Sequence, residues 1–442
     1  MKKKITIIGL ILLFIFSPIA IGDWPMYQHD VLNTGNSNTS FSNNFTQIWS
    51  KSYSSLNIDM VSMFASPISD NGKLFIMGDT YDTEFGVICA LNQYNGSLIW
   101  KKEIPINENA RMGYQSFHSP AVYEDKIITA LGCLPTIRSK SKIVALNKNT
   151  GDIIWEKSFF GVSYYSSVTV DNDKVFVSGH FTFCPISFLY VFDVNNGDLL
   201  WRKILFGYIE TTPVVYDNKV IVAPGRVSGM LLFMKYPLFS GNSRVCAFDV
   251  DSGEKIWMTK VRGHLVQCSP TASDGKLFVP SNTMTLTNLR GWICRITALD
   301  LDNGEEIWHH ELNQEFLTSM WPTSISTPSV GYGKVFVMDS TGWLRVWQQD
   351  NGDLIWEKEL YPENLNAGSI GFASPVVVDE KVIVVGNNDC GVEYNELFMF
   401  NESSGELLCN FKFSGGSGSP FIVSNEMLYV IDGLNGIIHA FG

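Results

Sequence analysis

The sequence is poor in charge, in closely spaced cysteines and in long apolar stretches. Only 17% of its 442 residues are charged, and the net charge is −12, so binding to a nucleic-acid backbone is not expected. It has no CxxC pair, adjacent cysteines, HExxH, P-loop or nucleophile elbow, which leaves no common sequence signature of a metal, haem, nucleotide or serine-hydrolase site. What the chain does contain is core-forming: 45% of its residues are hydrophobic and 13% are aromatic.

The first 22 residues predict export. Lys2, Lys3 and Lys4 precede the apolar run Ile5–Phe16, and Ala20-Ile21-Gly22 offers small residues to a signal peptidase. We therefore expect residues 1–22 to be a signal peptide that is cleaved after Gly22, with an uncleaved membrane anchor as the alternative. After cleavage no later stretch is long and apolar enough to span a bilayer, so a secreted or cell-envelope exterior location is expected.

One spacing recurs along the chain: an Asn, Asp or Gln, a Gly four residues later and a Trp four residues after that. The copy from Asn147 through Gly151 to Trp155 predicts two strands joined by a tight turn, in which the Asn side chain bonds its own backbone and Gly takes a positive φ. A single hairpin has no core, so each Trp is expected to pack on a neighbouring unit and to be structural. Cys409 replaces Trp in the seventh copy. The repeat glycines are Gly96, Gly151, Gly197, Gly253, Gly304, Gly352 and Gly405, and the repeat tryptophans are Trp49, Trp100, Trp155, Trp201, Trp257, Trp308 and Trp356.

A second motif marks the start of each unit. Ser or Thr is followed by Pro in all copies but one, and a polar turn and an apolar strand come next; Pro is tolerated at the first residue of a strand. Each unit is thus predicted to contain four strands. The eight copies begin at Ser66, Ser119, Ser167, Thr212, Ser269, Thr327, Ser374 and Ser419.

Each end of the chain holds part of one further unit. Residues 45–53 look like a Trp-bearing last strand without its preceding strands, and residues 436–442 stop where the Asx-Gly turn should start. The two parts complete one unit, which indicates a closed ring, since a solenoid would carry caps. We predict an all-β, eight-bladed β-propeller of four-stranded antiparallel blades over residues 45–442, its last blade closed by the N-terminal strand. Residues 23–44 form a polar lead-in.

The Ala-Leu-Asx-x-x-x-Gly-x-x-x-Trp unit, with its Ser-Pro and Asp-Asn-Gly-Lys punctuation, resembles the PQQ-like repeat family. The resemblance implies one of two functional classes. One comprises quinoprotein dehydrogenases, which hold pyrroloquinoline quinone and Ca²⁺ in the axial channel and oxidise alcohols or sugars, often with a disulfide between adjacent cysteines. The other comprises non-catalytic propellers similar to the outer-membrane barrel-assembly lipoprotein, which bind proteins through loops on one face.

The residues favour the second class. Adjacent cysteines are absent and no motif picks out a base or a cation site, so no catalytic, cofactor-binding or metal-binding residues are assigned. Pyrroloquinoline quinone and Ca²⁺ are expected only under the dehydrogenase alternative. We expect an exported, monomeric binding or scaffold module with a protein partner on one propeller face.

The sharpest candidate for that interaction is a long loop in the fourth unit. Apolar side chains are rarely left together on a loop unless they contact something; the alternatives are that the loop folds back on its own blade or caps the channel. The apolar residues are Met230, Leu231, Leu232, Phe233, Met234, Tyr236, Leu238 and Phe239.

Two of the eight cysteines could form a disulfide. Cys133 and Cys184 fall in comparable loops of adjacent units, and export permits disulfides. Cys89, Cys246 and Cys294 lie in predicted strands and are expected in the core.

Overall fold

The computed structural model describes residues 22–58, 60–61, 65–80, 85–105, 118–132, 140–161, 166–181, 184–225, 242–263, 268–284, 292–314, 326–339, 342–360, 373–387, 394–414, 421–432 and 435–442. These residues form eight separate sheets, each built on a four-stranded antiparallel blade. Six sheets have only these four strands, and two carry a fifth short strand, Asn36–Ser37 in one and Met60–Val61 in the other. In seven blades the four strands follow chain order from the inside outwards. The first strands of neighbouring sheets pack side by side in a ring. The predicted eight-bladed β-propeller is confirmed.

The strands of the N-terminal half follow the predicted units. Before blade 1 come β1 (Asn36–Ser37), β2 (Gln47–Ser52), a 3-10 turn (Ser54–Leu56) and β3 (Met60–Val61), which pairs with β5. Blade 1 has β4 (Ile68–Asp70), β5 (Lys73–Asp79), β6 (Phe85–Asn92) and β7 (Leu98–Pro105). Blade 2 has β8 (Ala121–Tyr123), β9 (Lys126–Leu131), β10 (Lys140–Asn147) and β11 (Ile153–Phe160). Blade 3 has β12 (Thr169–Asp171), β13 (Lys174–Phe181), β14 (Cys184–Asp193) and β15 (Leu199–Phe206). Blade 4 has β16 (Val214–Tyr216), β17 (Lys219–Val222), β18 (Asn242–Asp249) and β19 (Lys255–Arg262).

The C-terminal half repeats the plan. Blade 5 has β20 (Thr271–Ser273), β21 (Lys276–Met284), β22 (Trp292–Asp300) and β23 (Glu306–Gln314). Blade 6 has β24 (Ser329–Gly331), β25 (Lys334–Met338), β26 (Trp343–Gln348) and β27 (Leu354–Glu359). Blade 7 has β28 (Val376–Val378), β29 (Lys381–Asn387), β30 (Tyr394–Asn401) and β31 (Leu407–Ser414). Blade 8 has β32 (Phe421–Ser424), β33 (Met427–Asp432) and β34 (Ile437–Phe441).

The two ends of the chain close the ring in blade 8. Strand β2 pairs antiparallel with β34, with Trp49 opposite Ala440. The amides and carbonyls of Thr46 and Gly442 exchange two hydrogen bonds of 3.1 and 3.0 Å. The N-terminal strand therefore supplies the outermost strand of the last blade, as predicted.

The repeat Trp and Gly residues join each blade to the next. The Trp155 ring lies against Gly197 of the following blade, where a Cβ would stand 2.5 Å from the ring. Its Nε1 also donates a 2.9 Å hydrogen bond to the Val194 carbonyl of the same turn. All seven repeat tryptophans make this bond, at 2.9–3.1 Å. Glycine is thus required at this repeat position for two reasons: its φ is positive, between 67° and 76°, and the indole occupies the space that a side chain would need.

Cys409 replaces the repeat Trp in blade 7, at a position where a Trp ring would find no Asx-Gly turn of the next blade to pack against. The outer strand of blade 7 should place its Trp under the Asx-Gly turn of blade 8. In blade 8 the third and fourth strands are β34 and β2, which are not consecutive in the chain, so no Asx-Gly turn joins them. The way in which the ring closes therefore also accounts for the missing Trp.

The Ser/Thr-Pro motif links the inner strands. The amide of Ser167 donates to the hydroxyl of Thr212 in the next blade at 3.0 Å, and the amide of Thr212 donates to the hydroxyl of Ser269 at 2.9 Å. The same bond joins the earlier and later motifs Ser66 to Ser119, Ser119 to Ser167 and Ser269 to Thr327. These hydroxyls are buried, so each one satisfies an inner-strand amide that water cannot reach.

Replacing Thr212 with valine should therefore destabilise the propeller. Valine keeps the shape of threonine but leaves the buried Ser167 amide without its acceptor, and such a loss costs about 1–3 kcal/mol. Chemical unfolding of the variant should show this decrease, whereas Ser97→Ala at an exposed turn should be nearly neutral. Equal stability of the Thr212 variant and wild type would contradict the bridging role.

Lysines at the start of the second strands form a further set of links between blades. Lys219 Nζ lies 3.0 Å from Asp302 in the outer turn of the next blade. The equivalent pairs are Lys174–Asp251, Lys276–Asp350 and Lys334–Glu402. The aspartates are exposed, so each of their pairs contributes little to stability, but the pattern explains why a Lys ends so many of the turns.

The lead-in passes along the inner strands of the ring. Trp24 pairs with Ser69 of blade 1, and β1 runs parallel to β28 of blade 7. Between them, lead-in carbonyls accept hydrogen bonds from the middle residue of the inner strand in four blades, from Val122, Val215, Ala272 and Val330. Trp24 and Asn33 are buried. The lead-in is therefore packed into the propeller although its sequence is polar.

Candidate functional site

The predicted interaction loop, Met230 to Phe239, lies outside the described residues, so its role stays a prediction. The residues that flank it are described. Gly225, just before the loop, exchanges two backbone hydrogen bonds of 2.8 Å with Tyr208. Tyr208 follows β15 by two residues, so the loop starts from blade 4 beside the end of the outermost strand of blade 3.

Strand β15 exposes apolar side chains at that end. Ile204 is 64% exposed and Phe206 is 67% exposed, the largest fractions for any large apolar side chain in the described part of the chain. Leu199 and Leu200, at the other end of the strand, are about half exposed. We call Leu199, Leu200, Ile204 and Phe206 the blade 3 edge.

The blade 3 edge departs from the repeat. Three residues after the repeat Trp or Cys, the other outer strands carry a polar or charged residue, and only β15 carries an aliphatic one. The residues at this position are Ser52, Glu103, Ser158, Ile204, Lys260, Glu311, Glu359 and Lys412. An exposed aliphatic side chain at this position on one outer strand out of eight indicates a surface that contacts something.

The backbone of β15 can also take part in binding. It pairs on one side with β14 and is the last strand of its sheet, so alternate amides and carbonyls face outward. Such an edge is a template for an added strand.

Positive charge borders the blade 3 edge in an otherwise acidic protein. Arg202 is exposed in the middle of β15, and Arg244 of blade 4 donates a 3.4 Å hydrogen bond to the Phe206 carbonyl. Within the residues that the structure describes, neither guanidinium is within 4.0 Å of a carboxylate oxygen. An apolar partner segment that carries acidic residues would therefore suit this surface.

A buried polar pair, His180 and Glu210, lies near Tyr208, beside which the loop starts. Tyr208 packs edge-on against the His180 ring, with centroids 5.3 Å apart. His180 Nε2 lies 3.8 Å from Glu210 Oε1, and its Nδ1 lies 3.2 Å from the Ile209 carbonyl. Burial lowers the pKa of His180 to about 4, so the imidazole is neutral at neutral pH.

Two other buried titratable groups lie away from this surface. Burial raises the pKa of Asp79, at the end of β5, to about 7. Burial also lowers the pKa of His118 to about 4. In the described ranges no three His, Cys, Asp or Glu side chains are placed to share a metal ion.

Aromatic residues outside the repeat Trp position also serve in packing. The buried Trp347 ring stacks on His310, with centroids 5.7 Å apart and an interplanar angle of 8°. His310 in turn bonds the Gly352 carbonyl at 2.6 Å. His310 follows Trp308 on the outer strand β23 but is only partly exposed, because it fills the space between Trp308 and Trp347.

The cysteines lie mostly in the core. Cys89, Cys246, Cys268 and Cys294 are buried, as expected, whereas Cys184 is partly exposed at the start of β14. Cys133 is outside the described residues, so the Cys133–Cys184 disulfide stays a prediction.

The blade 3 edge was not predicted from the sequence, although a signal was present. The strand was treated as one more repeat copy because it carries Trp201. A comparison of the third residue after each Trp or Cys would have singled out Ile204, since its counterparts are all polar or charged; Phe206 would not have stood out, because β11 has Phe160 at the equivalent place.

The repeat, the ring closure and the eight four-stranded sheets define the class: this is a PQQ-like repeat β-propeller. A family model described as outer membrane protein assembly factor BamB matches residues 139–230 and 227–441. The chain belongs to that family. No helix in the described part of the chain has the length and apolar character needed to cross a membrane.

Relatives and solved structures agree with this placement. The outer membrane protein assembly factor BamB of Shewanella oneidensis is 23% identical over 222 residues, which cover 48% of this chain and 52% of the relative. The chain spans about half the length of the curated relatives it matches. The crystal structure of BamB from Moraxella catarrhalis superposes with a TM-score of 0.58 at 16% identity, covering 90% of this chain and 97% of that one. A quinohemoprotein alcohol dehydrogenase from Comamonas testosteroni gives a TM-score of 0.64 at 13% identity, covering 96% and 81%. These two likenesses show the fold alone.

Proposed function

We propose that this protein is an exported, non-catalytic β-propeller that acts as a binding or scaffold module in the cell envelope. It engages a protein partner through the blade 3 edge and the adjoining loop from Met230 to Phe239. The observation that carries the proposal is the exposure of Ile204 and Phe206 on an unpaired edge strand beside the root of that loop.

The partner chemistry follows from the surface. The edge offers outward-facing backbone groups, two large apolar side chains and the guanidinium of Arg202, which has no carboxylate partner among the described residues. An extended segment with alternating apolar and acidic residues would satisfy all three, because it could add a strand, cover the apolar groups and neutralise the charge. Membership of the family named for outer membrane protein assembly supports a role as a scaffold in envelope protein assembly.

The double substitution Ile204→Ser and Phe206→Ser tests the surface. Both side chains are exposed, so the fold should be kept while partner binding falls by at least tenfold, as expected for apolar anchors at an interface. A matched control is Leu354→Ser with Ile355→Ser on β27, an apolar pair exposed on blade 6. Binding can be measured by co-purification from cross-linked cells followed by titration with the isolated partner. Unchanged affinity of the blade 3 variant would refute the placement.

The loop makes a separate contribution under the proposal. Phe233→Ser with Phe239→Ser should weaken the same partner without loss of the fold. If the loop variant binds as wild type while the β15 variant does not, the surface is confined to the edge strand.

A quinoprotein dehydrogenase is the alternative, because the resemblance to the PQQ-like repeat also implies that class. Titration of the purified protein with pyrroloquinoline quinone and Ca²⁺ separates the two. A binding module should show no absorbance change and no rise in Tm at tens of micromolar, whereas a dehydrogenase would be stabilised by its cofactor and would reduce a dye with alcohols or sugars.

A further inference from the structure

Gly22 is built into the propeller. It is buried, and its carbonyl oxygen accepts a 2.8 Å hydrogen bond from the Asn425 amide and a 2.6 Å bond from the Ser424 hydroxyl. Both donors belong to the first turn of blade 8. The contact thus fastens the start of the lead-in to the blade that closes the ring.

The fold requires glycine at this position. Its φ is +108°, and a Cβ would lie 2.5 Å from the Asn425 side-chain oxygen and 3.3 Å from the Asn425 amide nitrogen. A signal peptidase has no such requirement, because alanine serves at least as well as glycine before the cut. The folded protein therefore explains why residue 22 is glycine, whereas a residue removed with the leader would not have to be glycine.

Cleavage after Gly22, the site expected from the sequence, would disturb this contact. Hydrolysis of the bond between Gly22 and Asp23 adds water, removes the accepting carbonyl with the leader and leaves a new ammonium group on Asp23. The Asn425 amide and the buried Ser424 hydroxyl would both lose this acceptor, and a buried donor without a partner is costly. The Asp23 carboxylate is already engaged elsewhere, because it accepts from the Asn71 amide and the Asn425 side-chain amide, each at 3.1 Å.

We propose that Gly22 is retained in the mature protein and that any processing cuts a bond before it. The same hydrolysis then places the new amino terminus at Gly22 or upstream and leaves the carbonyl of Gly22 in place. The inference is independent of what the propeller binds, since it concerns only how the lead-in is fixed to blade 8.

Intact-mass measurement of the protein recovered from the exporting host tests this directly. A mass or N-terminal sequence that begins at Gly22 or earlier supports the inference. A chain that begins at Asp23 overturns it.

The variant Gly22→Ala provides a second readout. It keeps a residue that a peptidase accepts, so export should be unchanged, whereas the strained backbone and the Asn425 clash should lower Tm by about 2 °C or more. Ala20→Ser is the matched control, upstream of the contact, and should leave Tm unchanged. Should Gly22→Ala fail to accumulate, the wild-type mass still decides; a Gly22→Ala protein with wild-type Tm would contradict retention.

Discussion

Replacement of Trp155 with alanine is expected to lower the free energy of unfolding by about 3–5 kcal/mol, as for other truncations of large core side chains. The indole is buried between blades 2 and 3. Its removal opens a cavity against Gly197 and leaves the Val194 carbonyl without its donor. Chemical denaturation would measure the loss in the free energy of unfolding. Unfolding should be followed by far-ultraviolet circular dichroism, because fluorescence would change with the deleted tryptophan.

A neighbouring variant separates packing between blades from a general effect on β11. Ile154→Ala removes an exposed side chain next to Trp155 and should cost little. The reciprocal substitution Gly197→Ala should also destabilise the wild type, but it should cost less in the Trp155→Ala background, because the indole no longer occupies the space of the new Cβ. Additive effects of the two substitutions, or an unchanged Tm for Trp155→Ala, would refute the contact.

Asp79→Asn is expected to stabilise the protein at pH 8 by roughly 2–4 kcal/mol, from about 1.4 kcal/mol for each unit of pKa shift. Asp79 is buried at the end of β5, and its Oδ2 has no hydrogen-bond partner among the described residues. Burial raises its pKa from 3.8 to about 7. The folded state therefore holds a proton that the unfolded state releases between pH 3.8 and 7, so the stability owed to this group falls as pH rises through that window.

The pH dependence of the variant relative to wild type tests the sign. The difference in unfolding free energy should be small near pH 4 and largest above pH 7. The buried histidines act in the opposite direction: His118 and His180 have folded pKa values of about 4, so their contribution is full above pH 6.5 and is lost as pH falls towards 4. Subtracting the two proteins cancels this term, and a difference that does not change with pH would exclude Asp79 as its source.

The sequence was sufficient for the architecture because the repeat constrains it at many positions. The fixed distance from Gly151 to Trp155 encodes the turn and the contact with the next blade, and the incomplete ends encode the closure of the ring. The physical reason for the Ser/Thr-Pro motif was not predictable in the same way. The bond from Ser167 to Thr212 joins residues of different blades, and only the ring geometry brings them together.

The blade 3 edge was not predicted from the sequence, and the predicted interaction loop stays a prediction. The prediction of Phe233 and its neighbours rested on the hydrophobicity of a loop, and these residues lie outside the described ones. The blade 3 edge depends on exposure, and exposure of Ile204 and Phe206 could not be read from hydrophobicity alone, because outer strands also bury apolar residues such as Val261 and Phe159. The polar composition of the lead-in likewise gave no sign that Trp24 and Asn33 would be buried along the inner strands.

Site-specific photo-cross-linking in intact cells tests the central claim most directly. A photoreactive phenylalanine analogue would replace Phe206 on the blade 3 edge and, in a separate protein, Leu354 on blade 6. The account predicts one defined protein adduct from position 206, its loss when Ile204→Ser is added, and no such adduct from position 354. No adduct from position 206, or the same adduct from both positions, would contradict a binding function at the blade 3 edge.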